Sequence, residues 1–103
     1  MNEKILEKAA NEIISLKKGL AFTGAGMSTA SGIPDFRSPT GVWAKYDPRE
    51  YAYIDKFLEN PKKVWEFFFL RHEEFQKANP NEGHFGLARL EELGLIEGIV
   101  TQN

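Results

Sequence analysis

Gly24, Ala25 and Gly26 close a short apolar run, Leu20 to Thr23, and the hydroxyls of Ser28 and Thr29 follow at once. Glycines at a strand tip let a ligand come close to the backbone, and the amides that open the next helix carry partial positive charge. The chemistry such a stretch suits is the holding of a diphosphate. A second group follows at residues 32–37, "GIPDFR". Pro34 fixes its own φ and biases Ile33 toward an extended backbone, so that Asp35 and Phe36 are presented rigidly. An aspartate accepts hydrogen bonds from a carboxamide NH2, Ile33 supplies an apolar wall, and Phe36 shields a reactive centre from water. Arg37 adds a permanently charged planar donor suited to phosphate oxygens.

Each group also has a plainer reading. Gly-x-Gly after a strand is only part of the dinucleotide fingerprint, and the third glycine of that pattern is missing. A tight strand-to-helix turn accounts for it equally well. On physics alone, "GIPDFR" reads slightly better as a structured turn in which Phe36 anchors the loop to the core and Arg37 pairs with a nearby acid. Neither "GKS" nor "GKT" occurs, which disfavours a P-loop nucleoside triphosphatase. No acid ends a second strand about twenty residues on, so hydride transfer of the ordinary dehydrogenase kind loses ground.

Positioning these groups requires particular elements around them. Ile5, Leu6, Ala9, Ile13 and Leu16 recur at helical spacing among Glu and Lys, which predicts an amphipathic helix from about residue 2 to 17, ended by Gly19. "LAFTG" predicts a buried strand that delivers the chain to "GAG", followed by a brief helix. Residues 33–46, with Pro34, Pro39 and Gly41 and no sustained period, read as a long surface loop, of a kind that in compact domains is usually functional or mobile. Asn60 before Pro61 marks the start of a helix whose Trp65, Phe68, Phe69 and Phe75 line a core-facing stripe while Lys62, Glu66 and Glu73 face water. Trp65, Phe67, Phe68 and Phe69 make a nearly all-round apolar patch, to be covered by core, by further segments or by another chain. Asn79 before Pro80 opens another helix with Phe85, Leu87, Leu90 and Leu93 inside and Gly94 as its C-terminal cap. "LIEGIVTQN" predicts a last strand. The alternation predicts an open parallel α/β sheet, with Thr23-Gly24-Ala25-Gly26 and Thr101-Gln102-Asn103 at strand ends facing one cleft.

The composition bounds the partners. Thirteen basic and fifteen acidic residues give a formal net charge of −2, which offers no general attraction to nucleic acid or to an anionic membrane. No cysteine occurs, so neither a disulfide nor a thiolate zinc site can form within these residues. The N-terminal stretch interleaves charges with apolar residues and resembles neither a signal peptide nor a membrane span, which predicts a soluble, cytoplasmic protein. With 103 residues the chain is small for a nucleotide-using enzyme that also holds a second substrate, and it reads as incomplete. His72 and His84 read as surface or half-buried histidines. The residues specify no oligomeric state.

"GAGMS", "GIPDFR" and the terminal "TQN" stand in the order and context of the sirtuins, the NAD-dependent protein deacylases, and "PNEGHFGLARLEELG" resembles the helix before their "TQN" strand. The resemblance spans essentially the whole chain. It implies the N-terminal part of a Rossmann-like NAD-binding domain over residues 1–103, with a cofactor-binding loop at about 30–46. Gly24, Ala25, Gly26, Ser28 and Thr29 would surround the adenosine and diphosphate, and Arg37 would reach the phosphates. Ile33 and Asp35 would belong to the nicotinamide pocket, Phe36 and Gln102 to the nicotinamide ribose, and Asn103 to the inner pocket. The activity implied is removal of an acyl group from a protein lysine, with NAD cleaved to nicotinamide and acyl-ADP-ribose. The family's general-base histidine, its structural zinc module and its acyl-lysine groove match nothing here and are expected in further segments, so the 103 residues alone are expected to be inactive. The competing expectation is a module that binds NAD or ADP-ribose without chemistry.

Overall fold

The computed structural model describes residues 2–103. Two units are distinguished: one of the residues up to Met27 together with Asn81–Asn103, the other of Ser28–Pro80. Among the described residues no helix is long and apolar enough to cross a membrane.

In the first unit, α1 (Glu3–Leu16) opens at Asn2, whose side chain accepts from the Lys4 N–H at 2.9 Å. Lys17 ends it in the left-handed region at φ 50, its N–H bonded to the Ile13 carbonyl. The helix therefore stops before Gly19, which instead opens β1 (Gly19–Thr23). A Cβ on Gly19 would stand 3.0 Å from the Leu95 carbonyl oxygen, so close strand approach, not helix termination, accounts for that glycine. β1 pairs in parallel with β2 (Ile96–Thr101), Phe22 opposite Val100 and Thr23 opposite Thr101. The parallel α/β expectation holds.

The expected burial of β1 does not hold, because Leu20 is 63% and Phe22 70% exposed. A sheet of two strands has no inner strand, and its ladder leaves those side chains uncovered. Helix α6 (Glu82–Glu92) leads into β2. Gly94 lies at φ 74, its N–H bonded to the Glu91 carbonyl, and the Leu95 N–H reaches the Leu90 carbonyl, both at 2.9 Å. This paired cap demands a left-handed residue and turns the chain directly into the strand. Its N-cap is Asn81, not Asn79.

The second unit holds α2 (Val42–Lys45), α3 (Pro48–Tyr51), α4 (Ile54–Glu59) and α5 (Pro61–Gln76). As expected, α5 starts at Asn60, whose side chain accepts from the Lys63 N–H, with Pro61 in the first turn. Its buried face is not the expected one. Val64, Phe67 and Arg71 are buried, while Trp65 is 53% and Phe69 63% exposed. Phe67 decides this: its ring stacks on Tyr51 at 4.4 Å and meets Tyr46 edge-on at 5.0 Å. Three consecutive phenylalanines point in three directions around a helix, so periodicity could not choose among them, and the aromatic side chains of the preceding short helices did.

Lys63 also reaches Glu50 at 2.8 Å across α5 and α3. The hydrogen bond from Lys63 holds the Glu50 carboxyl below the usual carboxylate range, and the same bond raises Lys63. Glu50's share of the pair is present above its unfolded titration range and lost as pH falls through the lowered one. Lys63's share is present below its unfolded range and lost as pH rises through the raised one. Both side chains are exposed, so the pair contributes little. Phe67→Ala is expected to cost about 3–5 kcal/mol in urea unfolding, and Phe69→Ala to stay within about 0.5 kcal/mol of wild type; the reverse order would place the wrong face of α5 inside.

Candidate functional site

At the tips of the two strands, the Thr23 carbonyl accepts from the Gln102 N–H at 3.1 Å and lies 3.4 Å from the Thr101 hydroxyl. The Asn103 N–H in turn donates to Thr101 Oγ1 at 3.0 Å. The pairing thus runs past β2 and brings Gly24, Gln102 and Asn103 to one edge. A Cβ on Gly24 would stand 3.1 Å from Gln102 Nε2, so Gly24 makes room for the glutamine side chain, whereas a Cβ on Gly26 would meet nothing within 4 Å. The chain continues as a 3-10 helix, Ala25–Ser31, begun by the Met27 N–H on the Gly24 carbonyl. The brief helix expected there is present but is of the tighter kind. In the same unit a cavity of about 270 Å³ is lined by Thr23, Met27, His84, Leu87, Ile99, Thr101 and Asn103.

In the second unit the stretch read as an unpatterned loop is organised by Asp35. Its Oδ1 accepts from the Ser38 hydroxyl at 2.6 Å and from the Ser38 N–H at 3.2 Å. Its carbonyl accepts from the Val42 N–H at 2.7 Å, and the Phe36 carbonyl accepts from the Trp43 N–H at 3.0 Å. These bonds fold the segment back on itself and start α2 inside it, an outcome no periodicity signals. Gly41 is buried where the two limbs cross: a Cβ there would stand 2.5 Å from Asp35 Oδ1 and 2.8 Å from the Asp35 carbonyl oxygen. Thr29, Ile33, Asp35 and Ser38 help line a concavity of about 250 Å³. Among the described residues nothing hydrogen-bonds Asp35 Oδ2.

Phe36 packs 5.5 Å from Trp43, with the buried Arg71 guanidinium 5.5 Å from its ring and 5.4 Å from that of Phe75. The anchoring reading of Phe36 is therefore seen directly. Arg37 is exposed and, among the described residues, forms no ion pair, so the acid expected for it in the plainer reading is not found. Ser28 is buried and Thr29 exposed.

The histidines have local partners: His84 Nδ1 accepts from the Asn81 N–H at 3.0 Å, and His72 Nε2 lies 3.1 Å from Gln76 Nε2. Sequence reasoning missed Arg71 and Trp43, which hold Phe36, and Asn81, whose side chain donates to the Met27 carbonyl. Only the N-cap preference of Asn could have singled out Asn81. The zinc that the resemblance implies has no donor set here: the chain has no cysteine, and among the described residues no cluster of acids and histidines could hold a metal.

Residues 24–103, all that follows β1, match the family model described as "Sir2 family". The chain belongs to the Sir2 family. It is 54% identical over 99 residues to an NAD-dependent protein deacetylase of Saccharolobus solfataricus, covering 96% of this chain and 40% of that protein. A phenylalanine-to-alanine mutant of a Sir2 homologue in complex with ADP-ribose superposes with a TM-score of 0.84 at 41% identity, covering all of this chain and 40% of that one. A histidine-to-alanine Sir2 mutant with deacetylated p53 peptide and 3′-O-acetyl ADP-ribose gives 0.72 at 42% identity, covering 90% and 39%. The Sir2 chain thus spans about 40% of the length of the relatives it matches.

Gly41→Ala is expected to destabilise the fold by about 1–3 kcal/mol, because backbone atoms must shift to admit the methyl. Gly26→Ala should unfold in urea within about 0.5 kcal/mol of wild type. Equal effects would contradict the packing described for the loop.

Proposed function

We propose that residues 1–103 are the N-terminal part of a Rossmann-like NAD-binding domain of a protein lysine deacylase. The observation that carries this reading is the pairing of "GAGMS" and "GIPDFR" in a chain of the Sir2 family, with Ile33 and Asp35 beside one concavity and one Asp35 oxygen uncommitted. Bound NAD would supply the ribose carbon that the acyl oxygen of a modified lysine attacks as nicotinamide departs; one water, consumed afterwards as the acyl carbon–nitrogen bond breaks, would complete free lysine and acyl-ADP-ribose.

The chain's own residues bind and orient. Gly24, Ala25 and Gly26 serve the adenosine and diphosphate portion, with no side chain at Gly26 to crowd it, and Ser28 and Thr29 add hydroxyls there. Arg37, charged and unpaired with any described acid, serves the phosphates. Asp35 accepts from the carboxamide NH2 of nicotinamide through the oxygen not held by Ser38, and Ile33 forms the apolar wall. Phe36, clamped between Trp43 and Arg71, covers the nicotinamide ribose and hinders water or returning nicotinamide. Gln102 contacts that ribose and Asn103 lines the inner pocket. His84 is occupied as a cap acceptor and His72 by Gln76, so neither is assigned as the general base.

That same observation favours one second reading, a module that holds NAD or ADP-ribose without turning it over. Nicotinamide release from NAD, assayed on the full-length protein with and without an acetylated peptide, separates the two. Release that requires the peptide and falls about tenfold or more in Asp35→Asn is expected, since a hydrogen bond to a charged acceptor is lost. ADP-ribose binding with no release under any condition would favour the binding module, and release unchanged by Asp35→Asn would remove Asp35 from the pocket.

A further inference from the structure

Residues 80–84, "PNEGH", read in the sequence only as a helix start, and no step of the proposed chemistry uses them. Their side chains do more than cap. Asn81 Oδ1 accepts from the Gly83 N–H at 2.9 Å, the ordinary cap bond of α6. The Nδ2 of the same side chain donates to the Met27 carbonyl at 2.9 Å, across 54 positions of sequence. The Asn81 N–H donates to His84 Nδ1 at 3.0 Å, which closes a capping box and requires a neutral imidazole with its proton on Nε2. The Met27 N–H is bonded to the Gly24 carbonyl at 3.1 Å. Both polar groups of the Met27 backbone are therefore held, one within the glycine turn and one by Asn81. Gly83 completes the contact: a Cβ there would stand 2.9 Å from Met27 Cε, so the methionine thioether lies on the start of α6.

We infer that Asn81, oriented by His84, is a positioning residue that sets the conformation of the Gly24–Met27 turn for its ligand; the inference rests on the cofactor reading of that turn. Nothing lies within 4 Å of where a Cβ on Gly26 would be, and glycine resists backbone motion least of all residues. Two glycines in a row of three cannot hold one geometry by their side chains. A rigid element must supply it, and α6 does so through a single amide: the acceptor half of Asn81 is tied to the helix and the donor half to the turn. A loop held in its bound conformation gives up less freedom when ligand arrives, so the clamp acts on affinity. Its effect belongs to ligand binding more than to the chemical step.

The two halves of the amide can be separated. Asn81→Asp keeps the cap acceptor, and Asp caps helices as well as Asn does, but it has no donor for the Met27 carbonyl. Asn81→Ser also caps and is too short to reach. On the full-length protein, both are expected to keep the wild-type melting temperature while raising KM for NAD about fivefold or more, with kcat changed less than about twofold. Amide exchange measured without ligand should quicken at Gly26, Met27 and Ser28 and stay unchanged along α6 in both variants. His84→Ala should give the same pattern more weakly.

If Asn81→Asp leaves both KM and turn exchange at wild-type values, Asn81 is a cap only and the inference is overturned. If exchange in the turn quickens but wild type binds no NAD, the cofactor reading fails while the positioning of the turn stands.

Discussion

The parallel ladder between Gly19–Thr23 and Ile96–Thr101 is the constraint on which everything else in the site-bearing unit depends. Two parallel strands cannot be joined by a tight turn, so the chain must travel from the end of one to the beginning of the other before they can pair. Residues 24–95 make that journey. The benefit is geometric: parallel strands put their carboxyl ends on the same edge, where Gly24 and Gln102 meet as direct continuations of Thr23 and Thr101. A slip of one residue would turn every side chain of β2 to the opposite face and carry Gln102 away from Gly24. The Gln102 N–H on the Thr23 carbonyl extends the ladder one step beyond the strand and secures that register.

Two different devices supply firmness, one in each unit. Asn81 borrows rigidity from a helix for the glycine turn. Asp35 builds it locally, taking the Ser38 hydroxyl and N–H on one oxygen and the Val42 N–H on its carbonyl, with Gly41 leaving room for the crossing. Phe36 is then gripped by Trp43 and Arg71. Residues assigned to nicotinamide thus sit on a stretch held by its own hydrogen bonds, which lowers the cost of ordering them around a ligand.

Legibility in the sequence followed the range of the interaction that decides each feature. Asn60-Pro61 and Gly94 declare a helix start and a helix end through φ preferences and cap chemistry that act within a few residues, and both stand where expected. The parallel arrangement followed from the alternation of elements. Lys17 instead of a glycine at the end of α1, and Asn81 instead of Asn79 at the start of α6, are choices between near-equal neighbours. The inward face of α5 was illegible because aromatic residues occupy every side of it and because one buried position is an arginine, whose partners include the rings of Phe36 and Phe75 as well as Glu74. The order within residues 35–43 rests on backbone bonds to Asp35 and Phe36, which leave no period to read. The types of the candidate site residues were legible as chemistry; the partners that hold them were not.

The central claim is that two short stretches, the glycine turn and the "GIPDFR" loop, serve NAD. Amide hydrogen exchange on the full-length protein with and without NAD tests it most directly, because each stretch reports for itself. The account predicts slowed exchange on NAD addition over residues 24–29, 33–46 and 102–103, with α1 unchanged. Equal protection of those stretches in the two states would contradict it.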